Sequence, residues 1–247
     1  MPLALLLHAP PLWPLPVDAS AHGPSLDLHL FLNLWIAMSL FALAHLLLLI
    51  GLLRRRSNGP RSAWLIEYLP LAALGLLFAF LAIQAERLWA AARYTGADPS
   101  ALQVEVTGMQ FAWYFRYPGE DAIFGTTLPK LVSPAEGNPL GIDPADSHGH
   151  DDLVASELVL PAGRQVDLRL HAQDVIHGFS VPEMRLKQNA IPGQTIHLHF
   201  TPTQPGTYAI LCTQLCGIGH YRMNANLRVL PPDEFAQWLA KKESAAR

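Results

Sequence analysis

From Leu30 to Leu53 the chain runs for 24 residues without an Asp, Glu, Lys or Arg. At about 1.5 Å of rise per helical residue this run reaches ~36 Å, enough to cross a ~30 Å hydrocarbon core with some tilt. Arg54, Arg55 and Arg56 stop it abruptly. A second apolar run, Tyr68 to Ala85, extends upstream through Ala63–Ile66 with Glu67 as its one charge. Uninterrupted length and the arginine stop favour two membrane spans over two buried helices of a soluble core. The pattern predicts a transmembrane hairpin within residues 25–92, with helices over about 28–53 and 63–90. Its short connection carries Arg54–Arg56 and Arg61 and no acid. Lys/Arg excess in a short loop marks the cytoplasmic side. Both termini and everything after about residue 92 are therefore expected outside, on the periplasmic face of an inner or plasma membrane.

Charge is distributed to match. Residues 1–92 hold five basic and four acidic residues, and the remaining 155 hold 12 and 16. A charged fraction of 15%, against roughly 25% in soluble proteins, excludes a disordered chain. The formal net charge of −3 argues against nucleic acid as a partner. Residues 1–24 read as a Pro-rich outside tail or a weak signal segment. Ala19-Ser20-Ala21 resembles a signal-peptidase site, but no basic residue precedes it and Leu3–Leu7 is a poor apolar region.

After residue 101 the helical period gives way to alternation in twos. Val166, Leu168 and Leu170 alternate with Gln165, Asp167 and Arg169, and Ile196, Leu198 and Phe200 with His197 and His199. Further strand candidates are Gln103–Thr107, Gln110–Tyr117, Glu157–Leu160, Val175–Val181, Thr207–Leu211 and Ala225–Leu230. Pro161-Ala162-Gly163, Pro192-Gly193 and Pro205-Gly206 punctuate them. Strands this short and this regularly spaced predict an antiparallel sandwich or Greek-key barrel over residues 93–232. Residues 133–154 read as a long surface loop. In the last segment, 233–247, an amphipathic helix Asp233–Lys242 places Phe235, Trp238 and Leu239 on one face.

Both cysteines of the chain fall in one stretch, Cys212-Thr-Gln-Leu-Cys216-Gly-Ile-Gly-His220-Tyr-Arg-Met223, with His177 upstream on another strand. Cys216, His177, His220 and Met223 would suffice for a mononuclear blue-copper site, which uses a single thiolate. Cys212 is the sulfur left over. Two thiolates facing one point can bridge two copper ions, each completed by a histidine, with Met223 on one and a backbone carbonyl on the other. Other assignments stay open but leave donors unused. A Cys212–Cys216 disulfide ignores the histidines and the methionine, and a zinc site ignores Met223. A redox thiol pair usually has two residues between its cysteines rather than three.

At these residues the chain resembles subunit II of the haem–copper respiratory oxidases, the cytochrome c oxidase family. The resemblance runs from roughly residue 25 to 230. It is carried by the helix pair, the aromatic segment Gln110–Tyr117, Asp174-Val175-Ile176-His177, Lys187–Gly193 and above all the Cys212–Met223 loop. It implies a two-helix hairpin followed by an all-β cupredoxin-like Greek-key sandwich, holding a dinuclear CuA centre of two copper ions. That centre would accept electrons from cytochrome c or another soluble one-electron donor and pass them to haem in subunit I, with subunit III a further partner. The implied ligands are His177, Cys212, Cys216, His220, Met223 and the backbone carbonyl of Gln214.

Departures from the family pattern shape the remaining expectations. Gln214 and Asn189 stand where the family often has carboxylates, and an amide is a weaker ligand for a hard cation, so no side-chain-supported magnesium site is expected. Phe111 stands where an aromatic segment of the family often has Trp, leaving Phe111 and Trp113 as candidates for where the electron enters. Glu67, near the inner membrane face, is a candidate for the mouth of a proton channel. Glu120, Asp121, Asp143, Asp146, Asp151 and Asp152 would steer a basic donor. His148, His150, His197 and His199 read as structural or incidental. Without a Cys-x-x-Cys-His motif no covalent haem is expected. The same subunit could serve a copper-A nitric oxide reductase, since the substrate is chosen in subunit I; a membrane-anchored blue-copper carrier would not need Cys212.

Overall fold

The computed structural model describes residues 15–54 and 63–246. Leu3–Leu7 and Arg55, Arg56 and Arg61 lie outside the described residues. Two helices come first, α1 (Gly23–Leu53) and α2 (Ala63–Arg93), each of 31 residues. At 1.5 Å per residue each is ~46 Å long, ample for a bilayer. Large apolar side chains point outward all round, among them Leu32, Leu43, Leu48, Leu71, Leu76 and Phe78. Helices apolar on every side need lipid or protein around them. The chain divides into two compact units, Pro24–Thr95 and a second comprising the segment up to Gly23 together with Gly96–Arg247.

The second unit is a sandwich of two five-stranded sheets. One sheet is built from β1 (Leu102–Met109), β2 (Ala112–Tyr117), β3 (Leu153–Ala155), β5 (Val166–Ala172) and β8 (Ile196–Phe200), in the order β3-β2-β1-β5-β8. The other holds β4 (Leu158–Pro161), β6 (His177–Val181), β7 (Leu186–Ala190), β9 (Gly206–Cys212) and β10 (Asn224–Leu230), in the order β4-β10-β9-β6-β7. The expected alternation is observed: Val166, Leu168, Leu170, Leu198 and Phe200 face the core, while His197 is exposed. Opposite them lie Phe179, Val181, Ile210, Leu227 and Val229. The Tyr117 hydroxyl ties the layers together, donating to the Val159 carbonyl and accepting the Val159 N–H.

The sheets are mixed rather than antiparallel throughout. β1 runs parallel to β5, and β4 parallel to β10. Strands β3 and β7 also lie outside the sequence-predicted set. The first has only three residues; the second, Leu-Lys-Gln-Asn-Ala, buries just its two ends. The expected loop over 133–154 has form of its own: it holds two turns of 3-10 helix, Pro134–Glu136 and Ser147–Gly149, and the start of β3, with a third turn, Pro129–Leu131, just before it. The closing helix α3 (Pro232–Ala246) buries Phe235 and sets the Trp238 ring edge-on to Tyr117, 5.4 Å between centroids.

Candidate metal centre

The donors predicted from sequence gather at one end of the β4-β10-β9-β6-β7 sheet. His177 opens β6, Cys212 closes β9, and the loop to β10 supplies Gln214, Cys216, His220 and Met223. β6 and β9 are hydrogen-bonded neighbours, with Phe179 opposite Cys212, so His177 and Cys212 emerge side by side. Two glycines permit the close approach. A Cβ on Gly178 would lie 2.5 Å from Thr213 Oγ1 and 2.7 Å from the Gln214 nitrogen, and one on Gly108 of β1 would lie 2.9 Å from the His177 ring. The Thr213 N–H donates to the Gly178 carbonyl at 2.9 Å, and the Cys212 N–H to the Met223 carbonyl at 3.2 Å, closing the loop.

The two sulfurs are 3.9 Å apart and both cysteines are free and buried. A disulfide bond is about 2.0 Å, so the thiols face one another unbonded. Cys216 Sγ lies 3.7 Å from His220 Nδ1 and 3.7 Å from Met223 Sδ. Cys212 Sγ lies 3.2 Å from the Gln214 carbonyl oxygen. The donor atoms of His177, Cys212 and Cys216 fall within 4.8 Å of one another. His177 is wholly buried; its Nε2–H donates to Asp174 Oδ1 at 2.7 Å, while Nδ1 is buried with no hydrogen-bond partner among the described residues. Buried polar atoms are normally satisfied, and this imidazole nitrogen beside two thiols is placed where it could hold a metal ion. Two thiols, two imidazoles, a thioether and a carbonyl fit soft copper ions better than hard cations. Burial, with Cys212 alongside, raises the Cys216 thiol above its ordinary range, so a metal must displace its proton to bind.

Asp174, within the segment that carries the resemblance, fixes the ring of His177 through the Nε2–H hydrogen bond. Burial works to raise its carboxyl, but hydrogen bonds from the Gln110 and Val175 N–H groups and from His177 outweigh it and hold it below the usual carboxylate range. An Asp three residues before a ligand His is the signal that would have found it. Trp113 is buried in the core, edge-on to His177 at 5.8 Å between centroids. Phe111 is half-buried against the metal loop, where its ring would meet a Cβ on Gly219 at 2.4 Å. Around the centre Leu215, Ile218 and Tyr221 are 78%, 96% and 84% exposed, an apolar surface that asks for a partner.

Other candidates sit elsewhere. Glu67 lies in the second turn of α2, exposed, three residues before Pro70. Asn189 is in β7, its side-chain oxygen accepting from Lys187. His148 pairs with Asp121 at 2.6 Å, His150 bonds the Pro144 carbonyl, and His197 pairs with Asp167. Among the described residues these form no metal cluster. The acidic loop is largely self-engaged. Asp146 accepts from the Thr126 and His148 N–H groups, Asp151 from the Asp121 N–H, and Asp152 is buried against Arg116 at 3.0 Å.

The family model described as cytochrome C oxidase subunit II, periplasmic domain, matches residues 102–229. The alternative cytochrome c oxidase subunit 2 of Bradyrhizobium diazoefficiens is 36% identical over 156 residues, covering 62% of this chain and 56% of that protein. Cytochrome c oxidase subunit 2 of Thermostichus vulcanus is 35% identical over 157 residues, covering 61% of this chain and 38% of that protein. These matches thus span about half the relatives' length or less. Among solved structures, the periplasmic domain of subunit II of cytochrome oxidase from Bradyrhizobium japonicum aligns with a TM-score of 0.44 at 27% identity, covering 60% of this chain and 99% of that one.

Proposed function

Since the chain belongs to the cytochrome c oxidase subunit II family, we propose that it is the electron-accepting subunit of a terminal oxidase, holding two copper ions between Cys212 and Cys216. The observation that carries this reading is the pair of unbonded, buried thiols 3.9 Å apart beside an unpartnered His177 Nδ1. His177 and His220 would each complete one metal, with Met223 on one side and the Gln214 carbonyl on the other. When bound, such a pair supplies one-electron storage shared through two sulfurs. The chain's own contribution includes rigidity at one side of the centre: His177 and Cys212, on adjacent strands of a packed sandwich, move little when charge changes. Electrons would come from cytochrome c or another soluble donor and leave to haem in subunit I, where oxygen is reduced.

Phe111 against the metal loop supports it as the place where the electron enters, with Trp113, buried against His177, as the inner aromatic. The exposed side chains of Leu215, Ile218 and Tyr221 suit docking of a partner beside the centre. Glu67, in the α2 turn expected near the inner face, is proposed at the mouth of a proton channel. Glu67→Gln is then expected to slow turnover of the assembled oxidase while leaving the copper spectrum unchanged; undiminished turnover would remove Glu67 from the proposal.

Copper titration of the detergent-solubilised chain tests the central claim. We expect two coppers per chain and a seven-line EPR pattern from one unpaired electron shared equally. Cys212→Ser is expected to abolish that pattern. A single copper with a four-line pattern in the unaltered chain would refute the dinuclear reading.

A further inference from the structure

The ligands come from two separate stretches of chain, His177 at the start of β6 and the loop after β9. Both are tied to a third stretch that supplies no ligand: the turn between β1 and β2. The Gln110 backbone N–H donates to Asp174 Oδ2 at 2.7 Å. Its side-chain amide donates to the Cys216 carbonyl at 2.5 Å. Asp174 in turn accepts from His177 through its other oxygen. An unbroken hydrogen-bonded path therefore runs Cys216, Gln110, Asp174, His177. Next in sequence, the Phe111 ring occupies the space over Gly217 and Gly219, where a Cβ would come within 3.1 and 2.4 Å of it.

The metal loop needs such support. Its first half is held by Thr213 on Gly178, but the turn from Leu215 to Tyr221 exposes three of its large side chains and buries little apolar area that could fix it. Its backbone bonds from His220 to Gly217 and from Arg222 to Gly219 are internal and do not anchor it to the sandwich. Segments with few buried contacts open locally at low free energy. Contact from the β1–β2 turn supplies what burial does not.

We propose that Gln110 is a positioning residue of the metal centre, bracing the Cys216 turn and, through Asp174, the His177 ring against one rigid hairpin. The brace sets the spacing of a thiol donor and an imidazole donor before any metal arrives. Fixing the Nε2–H of His177 on Asp174 leaves Nδ1 as the free lone pair, and partners of this kind typically change metal affinity 10–100-fold. What the brace positions rests on the copper reading above; the brace itself does not.

The decisive variant is Gln110→Glu, which keeps the size and the backbone N–H to Asp174 but removes the side-chain donor to Cys216. Gln110→Lys restores a donor. In the copper-free, detergent-solubilised full chain, amide hydrogen exchange of residues 216–220 is expected to quicken at least ~10-fold in Gln110→Glu and to recover in Gln110→Lys. Exchange in β4 and β10 should stay as in the unaltered chain, which separates loss of the brace from misfolding. In copper-loaded protein, transfer of copper to a Cu(I) chelator is expected to show an affinity ~10–100-fold weaker. Unchanged exchange at 216–220 overturns the brace, and unchanged copper affinity alongside quickened exchange overturns its positioning role. If the unaltered chain binds no copper pair, the proposed function fails, and the exchange comparison alone decides whether Gln110 holds the turn.

Discussion

Gly178 shows how a single side chain, here a missing one, decides whether the centre can exist. Its carbonyl receives the Thr213 N–H, and a methyl group in place of its hydrogen would press on Thr213 Oγ1 and the Gln214 backbone nitrogen at 2.5 and 2.7 Å. Hydroxyls can rotate away, but a backbone nitrogen in a closed loop cannot without dragging the Gln214 carbonyl with it. Gly178→Ala is therefore expected to cost about 1–3 kcal/mol by overpacking. Thermal unfolding of the copper-free chain and the optical spectrum of the loaded chain would measure the two consequences, and an unaltered spectrum would contradict the placement of the Gln214 carbonyl. At this scale the cluster of candidate donors was legible in the sequence, because Cys212, Cys216, His220 and Met223 lie within one short loop and the structure brings them together. Gln110, Gly108, Gly178 and Asp174 were not assigned roles. Their importance comes from contacts across strands that spacing along the chain does not express.

Among the elements, the segment between β2 and β3 is the one whose order most needs explaining. It is rich in Pro, Gly and Asp and has no apolar core of its own, yet it folds back over the outer face of β1 and β2. Arg116 is the reason. Its side chain is 1% exposed, pairs with Asp152 at 3.0 Å and Glu105 at 3.5 Å, and donates to the Gly125 carbonyl. Both the Arg116 and Arg169 guanidinium groups lie over the Phe124 ring, 5.1 and 5.0 Å from its centre. One buried cation thus holds the loop near both ends. Arg116→Met would leave the buried Asp152 without its cation, a change that typically costs ~3–5 kcal/mol, and limited proteolysis should then cut first within residues 118–152. Burial pushes the Asp152 carboxyl up to about 6, against the opposing pull of the Gly125 N–H and Arg116. A folded value above the unfolded ~3.9 means that the folded chain binds this proton more tightly. Its stabilising contribution is full below about pH 4 and is lost as pH rises through about 6. Measured against Asp152→Asn, the unaltered chain should gain on the order of 2 kcal/mol of relative stability between pH 7 and pH 4. A pH-independent difference would contradict the burial argument. Alternation in twos revealed the long strands, but neither the parallel pairings nor β3 could be read from it. Both depend on which strands this loop and the Greek-key crossovers bring together.

At the scale of the whole molecule, the residues before the first helix do not stand apart from the sandwich. Ala19 is wholly buried; its N–H donates to the Glu183 carbonyl at 2.8 Å and its carbonyl accepts the Thr203 N–H at 2.8 Å. The Ala21 N–H reaches the Thr201 carbonyl at 3.0 Å, and Ser20 bridges Pro202 in antiparallel fashion. Cutting the chain after Ala21 would strip this strap away. With each such hydrogen bond contributing roughly 0.5–1.5 kcal/mol, residues 96–247 alone should unfold several degrees below the same fragment supplied with residues 15–23. The strap also bears on topology. The residues that lead into α1 and those that follow α2 belong to one compact unit, and a sandwich cannot be split across a bilayer. If both helices span, an even number of crossings returns the chain to the side it left, and the arginine-rich tip between them must face the other side. Trypsin tests this without any mutation. Added to intact spheroplasts, it is expected to cut at the exposed Lys130 or in α3 at Lys241 and Lys242 while sparing Arg54–Arg56 and Arg61. In inverted vesicles the preference should reverse, with cleavage at the arginines and an intact sandwich. Cleavage from the outside at both the arginines and the sandwich lysines would place the tip and the sandwich on one face, and the two-span arrangement would have to be abandoned; cleavage at the arginines alone would reverse the orientation.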